Sequence, residues 1–204
     1  RQISLSTSVV PLEWGEYKIN ILDTPGYMDF VGEVEEALSA ADGAIIVVNG
    51  KAGVEAGTKR AWELCEKYKL PRLVFVTAMD VDNASFRQVV EDMSALYGKK
   101  MAPFNLPIRE NEKFVGYVNV ISQTGNRWVG KEVVSCEVPE YNKANLAICR
   151  DTLVEAVAET SEEMMDRYFS GEEFSEAEIR ASLKFNVWDG SIVPMSMGSN
   201  TLCQ

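Results

Sequence analysis

RLVFVTAMD, Arg72 to Asp80, is an apolar run rich in β-branched and aromatic residues that ends in a short polar turn. An unbroken run of this kind is expected of a strand covered on both faces. A second one, AIIVVNG, spans Ala44 to Gly50. Between them VEAGTKRAWELCEKYKL has helical texture and is closed by Pro71, and after Asp80 the stretch NASFRQVVEDMSALYG predicts a helix ending at Gly98. Buried strands that alternate with amphipathic helices require crossover connections, so the fold class is α/β with a mostly parallel sheet flanked by helices.

Upstream, ISLSTSVVPLEW and YKINILDTP read as two strands of a hairpin turning at Gly15-Glu16. Phe30, Val34, Ala37, Leu38 and Ala41 then recur with helical spacing as one apolar stripe. After Gly98 the texture changes. PFNLPIRENEKFVGYVNVISQTGNRWVGKEVVSCEVPEY carries short alternating stretches between turn residues, the pattern of antiparallel hairpins. Two or three helices follow, with capping-box spacing at Thr160/Glu163 and Ser175/Glu178. Leu153, Val157, Met164, Met165, Tyr168 and Phe169 supply their apolar face. IVPMSMGSN returns to the buried-strand texture. The organisation expected is a core over 1–100, an inserted α+β sub-domain over 101–184, and a return to the core over 185–204.

Composition narrows the chemistry. The chain has 204 residues, 46% of them apolar, which is enough for a real core. Thirty-one acids against twenty bases give a formal charge of −11, so the surface repels phosphate backbones at long range and no sequence-specific nucleic-acid contact is expected. No run is long and apolar enough to cross a bilayer, and no membrane partner is expected. The cysteines, Cys65, Cys136, Cys149 and Cys203, form no Cys-x-x-Cys pair, which suits a reducing cytoplasm. Histidine is absent, which excludes Ser-His-Asp chemistry and imidazole bases. A start at Arg1 and an end in TLCQ read as a piece of something longer.

Three strand tips carry the candidate site. Asp23-Thr24-Pro25-Gly26 follows the apolar INIL; Thr77-Ala78-Met79-Asp80 ends the run quoted above; Gly198-Ser199-Asn200 ends the last one. Open α/β sheets bind ligands at the carboxyl ends of their strands. A carboxylate there can hold Mg²⁺ through water, and a glycine lets its N–H approach a terminal phosphate. Each motif alone is an ordinary turn or helix cap; their order on successive strand tips is what singles them out.

Together these residues resemble the GTP-binding domain of elongation factor G and its relatives, translational GTPases that include the ribosome-protection factors. Arg1-Gln2-Ile3-Ser4-Leu5 resembles the end of the family's first switch, INILDTPGYMDF its second, FVTAMD its Asn-Lys-x-Asp loop, and VPMSMGSN its Ser-Ala loop. EAVAETSEEMMDRYFSGEEFSEAEIR resembles the sub-domain inserted before the last strand. The resemblance implies a P-loop-NTPase-like fold, GTP and GDP as ligands, Mg²⁺ as cofactor, the ribosome as partner of the full-length protein, and a cytoplasmic location.

Residue by residue, it implies metal ligation at Ser4 and Asp23, and nucleotide contacts from Asp23, Thr24, Pro25, Gly26, Tyr27, Thr77, Ala78, Met79, Asp80, Ser199 and Asn200. Tyr27 stands where the family has the histidine that orients the attacking water. A phenol is no base near neutrality but can hydrogen-bond a water, so slow rather than absent hydrolysis is expected. Thr77 and Ala78 replace Asn and Lys, and Ala78 loses the alkyl stem that packs over the base; guanine selectivity is expected to weaken. The family's phosphate-cradling loop lies upstream of the first switch and is not found in Arg1–Gln204, so this piece alone is expected to be inactive. Gly125 to Glu132 mimics that loop but reads as a hairpin turn. A different class stays open beside the GTPase: a nucleotide-poor relative that serves as a ribosome- or protein-interaction module.

Overall fold

The computed structural model describes residues 3–111, 113–130 and 132–202. Arg1 and Gln2 of the first switch-like segment, and Cys203, lie outside the described residues. The chain divides into two compact units, one made of residues 1–44 and 55–71, the other of 45–54 and 72–204.

In the first unit β1 (Ser8–Trp14) and β2 (Tyr17–Asp23) form an antiparallel hairpin, Ser8 opposite Asp23 and Trp14 opposite Tyr17. Its two-residue turn needs a left-handed residue, which Gly15 supplies at φ +61°. A 3-10 turn at Met28–Phe30 leads into α1 (Val31–Ala40), and α2 covers Ala56–Lys67. Glu55 and Thr58 cap α2 reciprocally, each side chain taking the other's backbone N–H. The two helices are laced through Glu35, whose carboxylate accepts from Lys67 Nζ at 2.7 Å and Tyr68 Oη at 3.2 Å.

The second unit holds the parallel sheet, in the order β3 (Ala44–Asn49), β4 (Arg72–Thr77), β10 (Val193–Met197), β5 (Met101–Pro103). β10 runs parallel to both of its neighbours. α3 (Phe86–Tyr97) packs on β5, and Val74 and Val76 of β4 with Val193 and Met195 of β10 are sealed from solvent. The non-local pairing of β10 with β4 sets two strand tips from opposite ends of this unit's sequence side by side, which is what builds the site below.

β6 (Asn105–Glu110), β7 (Lys113–Asn119), β8 (Thr124–Val129) and β9 (Glu132–Cys136) make a separate antiparallel sheet in simple up-and-down order. α4 (Glu140–Ala158), α5 (Glu162–Phe169) and α6 (Glu176–Trp188) follow; α4 packs on β5, β6, α5 and α6, and α6 also reaches β4. The phosphate-loop mimic is a hairpin: Gly125 to Val129 lie in β8, Glu132 starts β9, and Gly130 turns the chain at φ +64°. Lys131 lies outside the described residues.

Several details differ from the sequence reading. β3 is covered on one face only: Ile46 and Val48 are buried, but Ile45 is 65% and Val47 60% exposed. Apolar runs fix what a strand tolerates, not what covers it, and β3 is an edge strand of its sheet. The three residues of β5 join the parallel sheet, so the antiparallel sheet starts at Asn105 rather than Met101, and α6 continues past Lys184 to Trp188. The cap of α5 is Ser161, whose Oγ accepts from Met164 N; Thr160 instead donates to Val157 O at 2.7 Å. Phe169, read as part of the apolar face, is exposed. Ser175 and Glu178 form the capping box at α6 as expected.

Candidate functional site

The candidate residues fall into two sets, one in each unit. In the first unit Asp23 ends β2 and is exposed, as are Gly26 and Ser4, while Pro25 is buried and Thr24 half-buried. A side chain at Gly26 would meet no atom within 4 Å. Tyr27 is 59% exposed, and its carbonyl accepts from Phe30 N at 3.0 Å to start the 3-10 turn. Its phenol therefore projects outward from a fixed backbone. Thr7 fastens the segment that carries Ser4: its N–H donates to Glu33 Oε2 at 2.7 Å and its hydroxyl to Glu33 O at 3.2 Å.

In the second unit the tips of β4 and β10 lie together. Thr77 Oγ1 donates to Asn200 Oδ1 at 3.4 Å, and Met79 N donates to Gly198 O at 3.2 Å. Ser199 is 2% exposed, and its Oγ accepts from Leu202 N at 3.1 Å, which curls the loop after β10. Ala78 sits in the left-handed region at φ +59°, the bend that turns the chain from strand to loop. Met79 is fully buried and anchors the loop from below.

Asp80 is half-buried, and its Oδ1 is sealed from solvent with no hydrogen-bond partner. A buried carboxylate oxygen left unpaired costs about 1–3 kcal/mol or more, so a donor supplied from outside gains that amount back. A purine edge bearing N–H groups offers such donors, and the guanine implied by the resemblance carries them. Mg²⁺ fits too, in a looser sense: among the described residues no group of three or more acidic or cysteine side chains forms a protein cage. Mg²⁺ bound with nucleotide takes only one or two protein oxygens, the rest being water and phosphate. Ser4 and Asp23, both exposed, are oxygen donors of that kind.

Two supporting residues escaped the sequence reading. Gly50, after β3, donates to Thr77 O at 2.9 Å and accepts from Ser85 N at 2.8 Å, so it ties both ends of the 77–85 loop. A side chain at Gly50 would stand 3.0 Å from Met79 Sδ and 3.1 Å from Thr77 O. The second is Arg109 on β6, whose Nη2 donates to Met79 O at 2.5 Å and Ala84 O at 3.3 Å. The Asn-Gly ending of AIIVVNG was the one available signal for Gly50; nothing local marks Arg109.

A parallel sheet with paired loops at the carboxyl ends of β4 and β10 defines an open α/β domain of the nucleotide-binding class. The chain belongs to the elongation factor Tu GTP-binding domain family, whose model it matches over residues 1–200. It is 36% identical over 203 residues to elongation factor G of Neorickettsia sennetsu (strain ATCC VR-367 / Miyayama), an alignment covering 98% of this chain and 29% of that protein. A crystal structure of a Thermus thermophilus protein superposes with a TM-score of 0.86 at 34% identity, over 97% of this chain and 30% of the other. The chain thus spans less than a third of the length of both relatives.

Proposed function

We propose that this chain is the nucleotide domain of an elongation factor G-like translational GTPase that acts on the ribosome in the cytoplasm, with GTP as substrate and Mg²⁺ as cofactor. In this reading residues 1–100 and 185–204 form the GTPase core and 101–184 an inserted sub-domain, with β5 lent to the sheet of the core and the end of α6 running on past 184. The observation that carries it is the unpartnered, buried Oδ1 of Asp80 at the tip of β4. One carboxylate reads guanine by accepting from N1–H and the 2-amino group, and a buried acceptor discriminates strongly against bases that lack those donors. Thr77, Met79, Ser199 and Asn200 shape the loop around it; Ala78 contributes its backbone and leaves the ring face without an alkyl cover.

In the other set, Asp23 and Ser4 would hold Mg²⁺, which neutralises charge on the β- and γ-phosphates when bound. Gly26 would offer its N–H to the terminal phosphate, with Thr24 and Pro25 setting its approach. Tyr27 would hold the attacking water by hydrogen bonding. Phosphoryl transfer depends mostly on positioning, so hydrolysis proceeds but slowly. Residues 1–204 contain no Gly-x-x-x-x-Gly-Lys-Ser/Thr at a strand-to-helix junction, so the isolated chain is expected to bind GTP weakly and turn nothing over.

Titrating the full-length protein with fluorescent GTP, ATP and XTP analogues tests the reading. GTP is expected to bind best, and Asp80→Asn to shift preference toward XTP, because the amide donates where xanthine carries an oxygen. Failure to bind any nucleotide would move the protein to the second class, a ribosome- or protein-interaction module, for which the changes at Thr77, Ala78 and Tyr27 speak.

A further inference from the structure

We propose that Arg109 is a positioning residue for the base-reading loop, so that the inserted antiparallel sheet sets how well the site discriminates between purines. The inference rests on the reading above that Asp80 contacts the base. Arg109 lies where the β6–β7 register slips: Ile108 pairs with Gly116, but Arg109 pairs with Phe114, leaving Val115 unmatched. A bulge of this kind re-aims the side chain beside it. The freed backbone is taken up by one hydroxyl from α4, since Arg109 N donates to Tyr141 Oη at 2.9 Å and Tyr141 Oη donates to Arg109 O at 2.7 Å.

So mounted, the guanidinium bridges both ends of the loop that joins β4 to α3, through Met79 O and Ala84 O. The Met79 carbonyl shares a peptide plane with the N–H of Asp80. Gly198 O holds the N–H on the other side of Met79. Both peptides flanking Met79 are thus fixed, and Val81 N donates to Ala78 O at 3.1 Å beyond Asp80, so the stretch that carries Asp80 is held by its own turn, by a carbonyl just past β10 and by Arg109. Guanidinium is suited to this because its donors are fixed in one plane and it never loses its charge.

The test uses the full-length protein and compares GTP with ITP, whose base lacks the 2-amino group. Arg109→Met keeps the aliphatic stem but removes the donors. It is expected to lower GTP affinity about tenfold, the order of losing charge-assisted hydrogen bonds, and to shrink the GTP/ITP ratio. Arg109→Lys, which can reach one carbonyl but not both, is expected to fall between the two. Tyr141→Phe frees the bulge without touching the guanidinium and is expected to move the ratio in the same direction by less, which keeps the test open if Arg109→Met fails to fold. A GTP/ITP ratio unchanged in Arg109→Met and Arg109→Lys, with only the melting temperature lowered, would make Arg109 a mere brace and overturn the proposal. Asp80→Asn separates the two layers. If it collapses the ratio and the Arg109 variants do not, only this inference fails; if it leaves the ratio untouched, base reading by Asp80 fails and the inference falls with it.

Discussion

The amide of Gly50 donates to the carbonyl of Thr77 at 2.9 Å, binding the end of β3 to the tip of β4 just where the loop proposed to read the base begins. The approach is close because Gly50 has no side chain. A Cβ there would press on Met79 Sδ and on the Thr77 carbonyl at once. Met79 is the buried anchor of the loop, and the carbonyl is backbone, so a side chain at Gly50 makes both give by a few tenths of an ångström.

Gly50→Ala is therefore expected to destabilise the protein by about 1–3 kcal/mol, the usual cost of overpacking a filled core. Guanine-nucleotide affinity should fall as well, because the strain is released into the loop. Chemical denaturation and a nucleotide titration on the same variant check both. Unchanged stability would mean that Met79 swings aside freely and the loop is looser than its contacts imply.

Ala78 makes the opposite prediction. It holds φ +59°, a conformation that costs an L-residue about 1–2 kcal/mol and glycine almost nothing. Glycine also widens the unfolded ensemble, which takes back about 0.4–1 kcal/mol. Ala78→Gly is expected to stabilise by about 0.5–1 kcal/mol net, raising the melting temperature by about 1–4 °C for a domain of this size. A lower melting temperature would show that the methyl group makes contacts worth more than the strain.

How far these features could be read from the sequence follows from how local their causes are. The hairpin at Gly15, the end of α3 at Gly98 and the cap at Ser175/Glu178 depend on a few neighbouring residues, and each stands where the residue types require. The alternation of strands and helices gave the parallel sheet, and two of the three strand-tip motifs end strands of it; the third, at Asp23, ends the exposed strand β2 of a separate hairpin. What stayed hidden depends on partners distant in sequence. The exposure of Ile45 and Val47 depends on what lies over β3, the membership of β5 in the parallel sheet on β10 far down the chain, and the role of Arg109 on a bulge and a tyrosine from α4. No periodicity carries that information.

Glu178 gives a pH dependence with a definite sign. Hydrogen bonds from the Ser175 hydroxyl and amide, and then from Arg167, hold its carboxyl down at about 2 against an ordinary 4.5. A depressed folded value means stability that is fully present above the ordinary value and lost as pH falls through the folded one. The melting temperatures of wild type and Glu178→Gln should thus differ most at neutral pH, converge below about pH 4.5 and meet near pH 2. A gap that stays constant down to acid pH would mean the carboxylate's charge is not what stabilises the start of α6.

Tyr27 is the residue on which rate depends in the proposed function. It follows Gly26 directly, its backbone is fixed by the bond from Phe30 N, and its exposed phenol is free to meet a water or a partner surface. The family resemblance puts an imidazole at this place. Groups that orient or deprotonate the nucleophile contribute about 10²–10⁴-fold, so Tyr27→His in the full-length protein is expected to raise ribosome-stimulated GTP hydrolysis by about tenfold or more. GTP affinity should stay the same, because Asp80 and the phosphate contacts are untouched. Turnover without ribosomes should change little, since an exposed side chain has to be oriented by its partner before it can hold a water in line. Single-turnover hydrolysis measured with and without ribosomes separates these effects. A histidine variant that is no faster, or slower, would show that the phenol already positions the water and that this chain has settled on a tyrosine in that role.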